Sequence, residues 1–267
     1  MMIENKDLKI LVKAAHAGGK VLKKYFGQVL NLKEKSTLAD FQTEADIESE
    51  EAILKIIKKE LSPYNIQSEE EGKIHNGSYY TVVIDPMDGT NNFVTGIPNF
   101  TVSIGLLHKG QAVLGVIYQP ILDQTFTAEK DKGAYLNGKK ITVNDVKDSK
   151  RSTVTYICGY KTDRVYLGSV MNSLLVGGHK RILYNWSGAY DYCLLALGKV
   201  ESVITDGIEL HDYAAGKLIA AEAGGKIIDF GGKKEIDYTN DKFIISNTDQ
   251  VNQYILNIIK PLQTLTK

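Results

Sequence analysis

Apolar residues recur at helical spacing over Leu8, Leu11, Val12, Ala15, Gly19 and Leu22, which predicts an amphipathic first helix ending near Gly27. The polar stretch from Asn31 to Asp40, with Lys33, Lys35 and Ser36, breaks this pattern and reads as a strand and a mobile loop. Helical spacing resumes after Thr43, with Ile47, Ile53, Leu54 and Ile57 as the apolar face, and Ser62-Pro63-Tyr64-Asn65 stops it. The pattern then shortens. Segments 81–84, 100–107, 112–118 and 125–128 predict strands, with hairpin turns at Lys109-Gly110 and Asn137-Gly138. A polar run from Asp145 to Ser152 reads as a connection between two halves, 1–147 and 148–267. Beyond it, strands at 153–158, 180–184, 200–205, 226–230 and 242–246 alternate with helices near 163–175 and at 187–197, 212–223 and 248–260. Ser187 is placed to cap the second of these helices and Gly198 to stop it, and Gly224-Gly225 stops the third. Strand–helix alternation predicts a mixed α/β layered fold.

Composition narrows the function classes. A chain of 267 residues can bury a large core. Lys plus Arg and Asp plus Glu each number 32, so there is no basic footprint for nucleic acid. No apolar run approaches the ~20 residues of a membrane span. The first residues lack a signal-peptide core, and Cys158 and Cys193 form no Cys-x-x-Cys, so a reduced cytoplasm is expected. The five His include no pair at zinc-site spacing, and no Gly-x-Gly-x-x-Gly follows a strand.

The chemistry concentrates in Ile84-Asp85-Pro86-Met87-Asp88-Gly89-Thr90-Asn91-Asn92-Phe93. Two carboxylates stand at the end of the predicted strand, with Pro86 and Gly89 supplying turn chemistry. Such a pair offers the oxygen donors that Mg²⁺ prefers. Gly89 and Thr90 add amides and a hydroxyl where a helix can begin, an arrangement that favours anions. Metal ligands beside a phosphate cradle point to phosphate ester hydrolysis.

The run Asp-Pro-Met-Asp-Gly-Thr resembles the signature of the inositol monophosphatase family of Mg²⁺-dependent sugar phosphatases. Further segments match in order. Ser68-Glu69-Glu70-Glu71-Gly72 resembles the family's Gly-Glu-Glu, aligning Glu69 as the ligand. Leu210-His211-Asp212-Tyr213-Ala214-Ala215-Gly216 resembles Trp-Asp-x-Ala-Ala-Gly, with His211 in place of Trp. Thr43 and Asp46 match a Thr-x-x-Asp segment. From local sequence alone, Asp212 reads equally as a helix cap and Asp46 as a capping-box acid.

The resemblance implies an α-β-α-β-α sugar phosphatase fold and a homodimer. It implies one Mg²⁺ on Glu69, Asp85 and the Met87 carbonyl and a second on Asp85, Asp88 and Asp212. A third, weaker ion is implied near Glu69, and Mn²⁺ is a possible substitute. Asp46 and Thr90 are implied to orient the attacking water, and Gly89 and Thr90 to bind phosphate. The implied substrate is a small phosphorylated metabolite, with inositol monophosphate first. NADP(H), fructose 1,6-bisphosphate and 3′-phosphoadenosine phosphates form the broader alternative, and a silent phosphate-binding relative the third.

Substrate selection departs from the family pattern. The sugar-contacting segment aligns with Trp186-Ser187-Gly188-Ala189, with Trp186 in a Gly position. Thr205, followed by Asp206, stands where the family has a sugar-binding Glu. Trp186 reads either as core or as a stacking surface. Tyr156, Tyr160, Arg164 and Tyr184 are candidates for the mouth of the site.

Overall fold

The computed structural model describes residues 5–29, 31–37, 40–235 and 238–265. Helix α1 (Asn5–Tyr25) buries Leu11, Ala14, Ala15 and Leu22 completely. The stretch after it forms a small antiparallel ribbon of β1 (Lys33–Glu34) and β2 (Phe41–Gln42), with Leu38 and Ala39 outside the described residues. Helix α2 (Glu44–Glu60) starts at Thr43, whose hydroxyl accepts from the Ala45 amide at 3.1 Å. Its buried face is Ala45, Ile53, Leu54 and Ile57; Ile47, expected there, is 42% exposed.

A sheet of eight strands follows. In chain order these are β3 (Asn65–Ser68), β4 (Gly72–Ile74) and β5 (Tyr80–Asp88), then, after the short helix α3 (Thr90–Val94), β6 (Thr101–His108) and β7 (Gln111–Gln119). β8 (Gln124–Glu129), β9 (Gly133–Leu136) and β10 (Lys139–Ile141) complete it. The order across the sheet is β10-β9-β8-β7-β6-β5-β3-β4. Both expected hairpin turns form, with Lys109 and Gly110 at φ 52° and 78° and Asn137 and Gly138 at φ 47° and 78°. Two consecutive positive φ angles match the right-handed twist of the flanking strands.

The remaining chain builds a second sheet and four helices: β11 (Thr153–Cys158), α4 (Arg164–Val176), β12 (Arg181–Leu183), α5 (Gly188–Ala196), β13 (Ser202–Asp206), α6 (Leu210–Glu222), β14 (Lys226–Asp229), β15 (Lys242–Ser246) and α7 (Asp249–Ile259). Its strand order is β12-β11-β13-β15-β14, with β11 parallel to both neighbours and β15 antiparallel to both of its own.

Three helix layers and the two sheets make five layers, joined by four apolar interfaces. Leu11, Ile53 and Leu54 from α1 and α2 meet Ile84, Val102 and Val116 on one face of the large sheet. Ala189, Cys193, Ala214 and Ala215 from α5 and α6 meet its other face at Val83, Ile117 and Phe126. The same two helices turn Tyr192, Tyr213 and Ala220 toward Val203, Phe243 and Ile245 of the small sheet. Tyr166 and Val170 of α4 and Val251 and Ile255 of α7 cover its far face. The expected α-β-α-β-α order is therefore observed. Helices α5 and α6 are sandwiched between sheets, so they are apolar nearly all round, as a doubly covered helix must be. Among the described residues no helix is long and apolar enough to cross a membrane.

Candidate active site

Strand β5 does not stop before the acidic motif. It runs on through Asp88, with a bulge between Asp85, opposite Ser103, and Asp88, opposite Thr101. Pro86 sits in that bulge, where a central strand tolerates a missing amide donor. Its carbonyl accepts from Ser49 Oγ of α2 at 2.9 Å, which fastens the bulge to the helix beneath. Asp85, Met87 and Asp88 are all buried, yet all three line a cleft of about 860 Å³. Gly89 turns the chain at φ +96°, and a Cβ there would stand 2.9 Å from the Asn99 carbonyl oxygen. No side chain fits that turn. Helix α3 has five residues, so the anion preference expected here rests on local amides and the Thr90 hydroxyl more than on a helix dipole.

Two helix starts bring further acids. Asp46 Oδ2 accepts from the Thr43 amide at 2.8 Å and the Thr43 hydroxyl at 2.6 Å, while Oδ1 lies 3.2 Å from Thr90 Oγ1. The capping and relay geometries thus coexist in one carboxylate. Thr90 Oγ1 is also 3.1 Å from the Met87 carbonyl, so its single proton has two competing acceptors. Asp212 occupies the third position of α6 and accepts from the Glu209 amide at 2.8 Å. Its other oxygen lies 3.4 Å from His211 Nε2, and Asp212 is part of the cleft lining.

The small residues after Asp212 have a packing reason. A Cβ on Gly216 would lie 2.3 Å from Tyr192 Cδ2, and one on Gly115 would lie 2.8 Å from the Ala215 carbonyl oxygen. Helix α6 therefore lies close against both α5 and the large sheet, which carries Asp212 toward β5.

Glu69 directly follows β3, and of the three consecutive glutamates it alone lines the cleft. Its carboxylate pairs with Lys35 Nζ at 2.7 Å. Glu70 bonds Lys35 at 2.6 Å and also Gln42, and Glu71 bonds Lys58 at 2.8 Å. The sequence alone did not single out Lys35 as their partner; the ribbon geometry does.

Asp88 is held from the opposite side. It accepts from Ser187 Oγ at 2.6 Å, the Gly188 amide at 3.0 Å, the Ala189 amide at 3.1 Å and Thr101 Oγ1 at 3.3 Å. Ser187 stands at the expected cap position of α5, but its hydroxyl serves Asp88, and Asp88 satisfies the helix amides in its place.

These carboxyls strain against one another. Burial, then the charges of Glu69, Asp88 and Asp212, push Asp85 well above the usual range. Burial and Asp212 push Asp88 up to about 7. Burial and Glu69 raise Asp212 against the lowering influence of His211. Burial takes Asp46 to about 7. A cluster of this kind is relieved by protons or by cations.

The substrate wall is mixed. Trp186, Ser187 and Gly188 line the cleft; Trp186 is 54% exposed at φ +55° and meets Tyr184 edge-on. Tyr160 and Arg164 join that wall. Thr205 and Asp206 are not brought to it. They lie on β13, an interior strand, with Thr205 bonded to the Tyr192 hydroxyl at 2.6 Å. Asp206 accepts from the Tyr156 hydroxyl at 2.7 Å and pairs with Lys242 at 2.9 Å. Tyr156, touching the cleft but 1% exposed, has its hydroxyl taken by that bond. Sequence reasoning missed Asp191, a fully buried acid at the cleft floor, held by Asn185 Nδ2 at 2.7 Å and raised by burial to about 7. Its place on α5 is amphipathically silent, so no periodic signal marks it.

The sequence model of the inositol monophosphatase family matches residues 4–264. The chain belongs to that family. It is 35% identical over 264 residues to the Nus factor SuhB of Pasteurella multocida, covering 96% of this chain and 97% of that one. It is 36% identical over 226 residues to a fructose-1,6-bisphosphatase/inositol-1-monophosphatase of Aquifex aeolicus, covering 82% and 84%. Its fold matches a solved IMPase of Thermotoga maritima with a TM-score of 0.88 at 30% identity, covering 98% and 99%. Membership supports a phosphatase activity, and the family is metal-dependent.

Among the described residues no three His, Cys, Asp or Glu side chains converge closely enough to hold an ion as they stand. The donor set nevertheless fits a hard cation. Glu69, Asp85, Asp88, Asp212 and the Met87 carbonyl are all oxygen donors lining one cleft. The three Asp carboxyls carry the mutual repulsion that a cation removes.

Proposed function

We propose that this chain hydrolyses phosphate monoesters in the cleft, using Mg²⁺ held by Glu69, Asp85, Asp88, Asp212 and the Met87 carbonyl in two or three sites. The observation that carries this reading is the gathering of Asp85, Asp88, Asp212 and Glu69 on one cleft beside the Thr90–Asp46 contact. Bound there, the cations supply Lewis acidity and offset the negative charge of both the acids and the ester. The Gly89 turn brings Thr90 beside the phosphate position. Thr90 Oγ1 accepts a hydrogen bond from the attacking water and hands its own proton toward Asp46 Oδ1. No side chain need attack the phosphorus, so no phosphoenzyme is required and no covalent nucleophile is assigned.

Inositol monophosphate is the first candidate substrate. A broader range is supported by the exposed Trp186 and by the absence of Thr205 and Asp206 from the cleft lining. An aromatic face and Arg164 suit esters with a base or a second anionic group, such as NADP⁺. A homodimer accompanies the reading as a family expectation, and a cytoplasmic location as an expectation from cysteine usage. The relative named a Nus factor supports a second role, binding a partner in transcription.

Phosphate release from inositol 1-phosphate, fructose 1,6-bisphosphate, 3′-phosphoadenosine 5′-phosphate and NADP⁺ tests the proposal, compared by kcat/KM with and without chelator. Mg²⁺-dependent turnover of at least one ester is expected. Absence of release from all four, with Mg²⁺ bound, overturns hydrolysis and favours the partner-binding role.

A further inference from the structure

His211 sets a metal-binding ring directly before Asp212 at the start of α6. A Trp nitrogen can only donate a hydrogen bond, whereas neutral imidazole carries a lone pair. The ring is 9% exposed and belongs to the cleft lining. Its Nε2 stands 3.4 Å from Asp212 Oδ1. Two donor atoms each ~2.0–2.2 Å from one cation stand ~3–3.4 Å apart, so this pair already has the bite of neighbouring ligands. Behind the ring, Nδ1 faces Glu209 Oε2 at 3.8 Å, and Glu209 is 81% exposed and able to swing closer. A carboxylate on the far nitrogen is the partner that fixes the tautomer of a metal-bound imidazole and leaves the near nitrogen as donor.

We infer that His211 Nε2 is an additional ligand to the cation held at Asp212, giving this chain a nitrogen donor in an otherwise all-oxygen site. The inference rests on the metal reading above and adds a consequence to it. Mg²⁺ gains little from imidazole, while first-row transition ions gain more, so the nitrogen raises the affinity for such ions relative to that for Mg²⁺. The chain would work with Mn²⁺ or a later transition ion at concentrations where Mg²⁺ still exchanges freely.

Mn²⁺ alone is the probe. Electron spin-echo modulation of the Mn²⁺-loaded full chain should carry a ¹⁴N coupling from directly bound imidazole. His211→Gln and His211→Trp should both lose it, and the ratio of Mn²⁺ to Mg²⁺ affinity by calorimetry should fall about tenfold (~1.4 kcal/mol). Mn²⁺ that binds the wild-type chain without nitrogen coupling overturns the inference and leaves the metal reading intact. So does a coupling that survives both substitutions. Failure of the wild-type chain to bind Mn²⁺ or Mg²⁺ at all overturns the metal reading itself, a distinguishable result. Should a variant unfold, the wild-type spectrum still decides between the first two outcomes.

Discussion

Asp85 stands among three other carboxylates of the cleft. Its carboxyl is raised by burial and by Glu69, Asp88 and Asp212 in turn. Asp85→Asn removes one of the mutually repelling charges. In chelator the variant should therefore melt no lower than the wild type, while calorimetry shows Mg²⁺ affinity reduced at least tenfold and activity lost. A variant that melts well below the wild type without metal would mean that Asp85 is chiefly structural. The Thr90–Asp46 contact calls for a different comparison. Thr90→Ala should lower kcat by a factor of ~10² or more with KM little changed, as expected for a group used only in the transition state. Asp46→Asn should do the same, and the double variant should be no worse than the poorer single one. If Asp46 only caps α2, its loss costs ~1 kcal/mol of stability and spares kcat.

Asp191 reports on pH. Its pKa of about 7 in the folded chain lies above the ordinary 3.8 because burial disfavours the charge. The folded chain then holds this proton more tightly than the unfolded one. Its stabilising effect is full below about 4 and is lost as pH rises from there to about 7. Asp191→Asn stays neutral throughout. Relative to wild type, the variant should gain ~1–3 kcal/mol in urea unfolding between pH 5 and pH 8 in chelator, at ~1.4 kcal/mol per pKa unit. A constant difference between the two proteins would show that the carboxyl does not change its charge in that interval.

At the scale of elements, the positions of the acids depend on how closely α6 can approach its neighbours. Gly216 faces Tyr192 of α5, and Gly115 faces the backbone of α6 at Ala215. Gly216→Ala must push α5 and α6 apart, because the new methyl meets a fully buried ring. Overpacking of this sort costs ~1–3 kcal/mol. Asp212 sits one turn earlier on α6, so the same substitution should also weaken Mg²⁺ binding, although Gly216 touches no ligand. A melt and a metal titration on one preparation check both effects. Loss of stability with unchanged metal affinity would mean that the start of α6 is anchored independently, by the bond from Glu209 to Asp212.

The whole molecule places its charge problem between two sheets that share one helix layer. Strand β5 of the large sheet supplies Asp85 and Asp88, α6 of the middle layer supplies Asp212, and α5 holds Asp88 through two amides and a hydroxyl. Cations bound among these groups would tie layers together. Mg²⁺ should thus raise the melting temperature of the chain by several degrees at saturating concentration, following RT ln(1 + [L]/Kd). The rise should be larger at pH 8 than at pH 5, because Asp88, at about 7, holds a proton at the lower pH that the cation must displace. Equal shifts at both values would point to binding away from these acids.

The layered architecture was legible along the chain because its determinants are local. Lys109-Gly110 and Asn137-Gly138 form turns from their own backbone preferences, and the face of α1 follows from spacing alone. The Asp85–Asp88 pair was equally visible, since Pro86 and Gly89, which shape its turn, are immediate neighbours. Where the local pattern misled, the controlling contact lay far away in sequence. Ser187 does not cap α5 because Asp88, about 100 positions earlier, competes for its hydroxyl. Thr205 and Asp206 face the interior because β13 has a strand on each side and a helix layer on each face, none of which their own segment specifies. Glu69 rather than Glu70 or Glu71 lines the cleft because the turn after β3 ties the Glu69 amide to the Ile84 carbonyl of β5 at 3.2 Å, while Glu70 is drawn to Gln42 and Glu71 to Lys58. Sequence by itself therefore determined which segments become strands, helices and turns, and which carboxylates stand at a strand's end. The tertiary structure alone decided which side chains share the cleft, because hydrogen bonds and repulsion between charges depend on distance in space and not on separation along the chain.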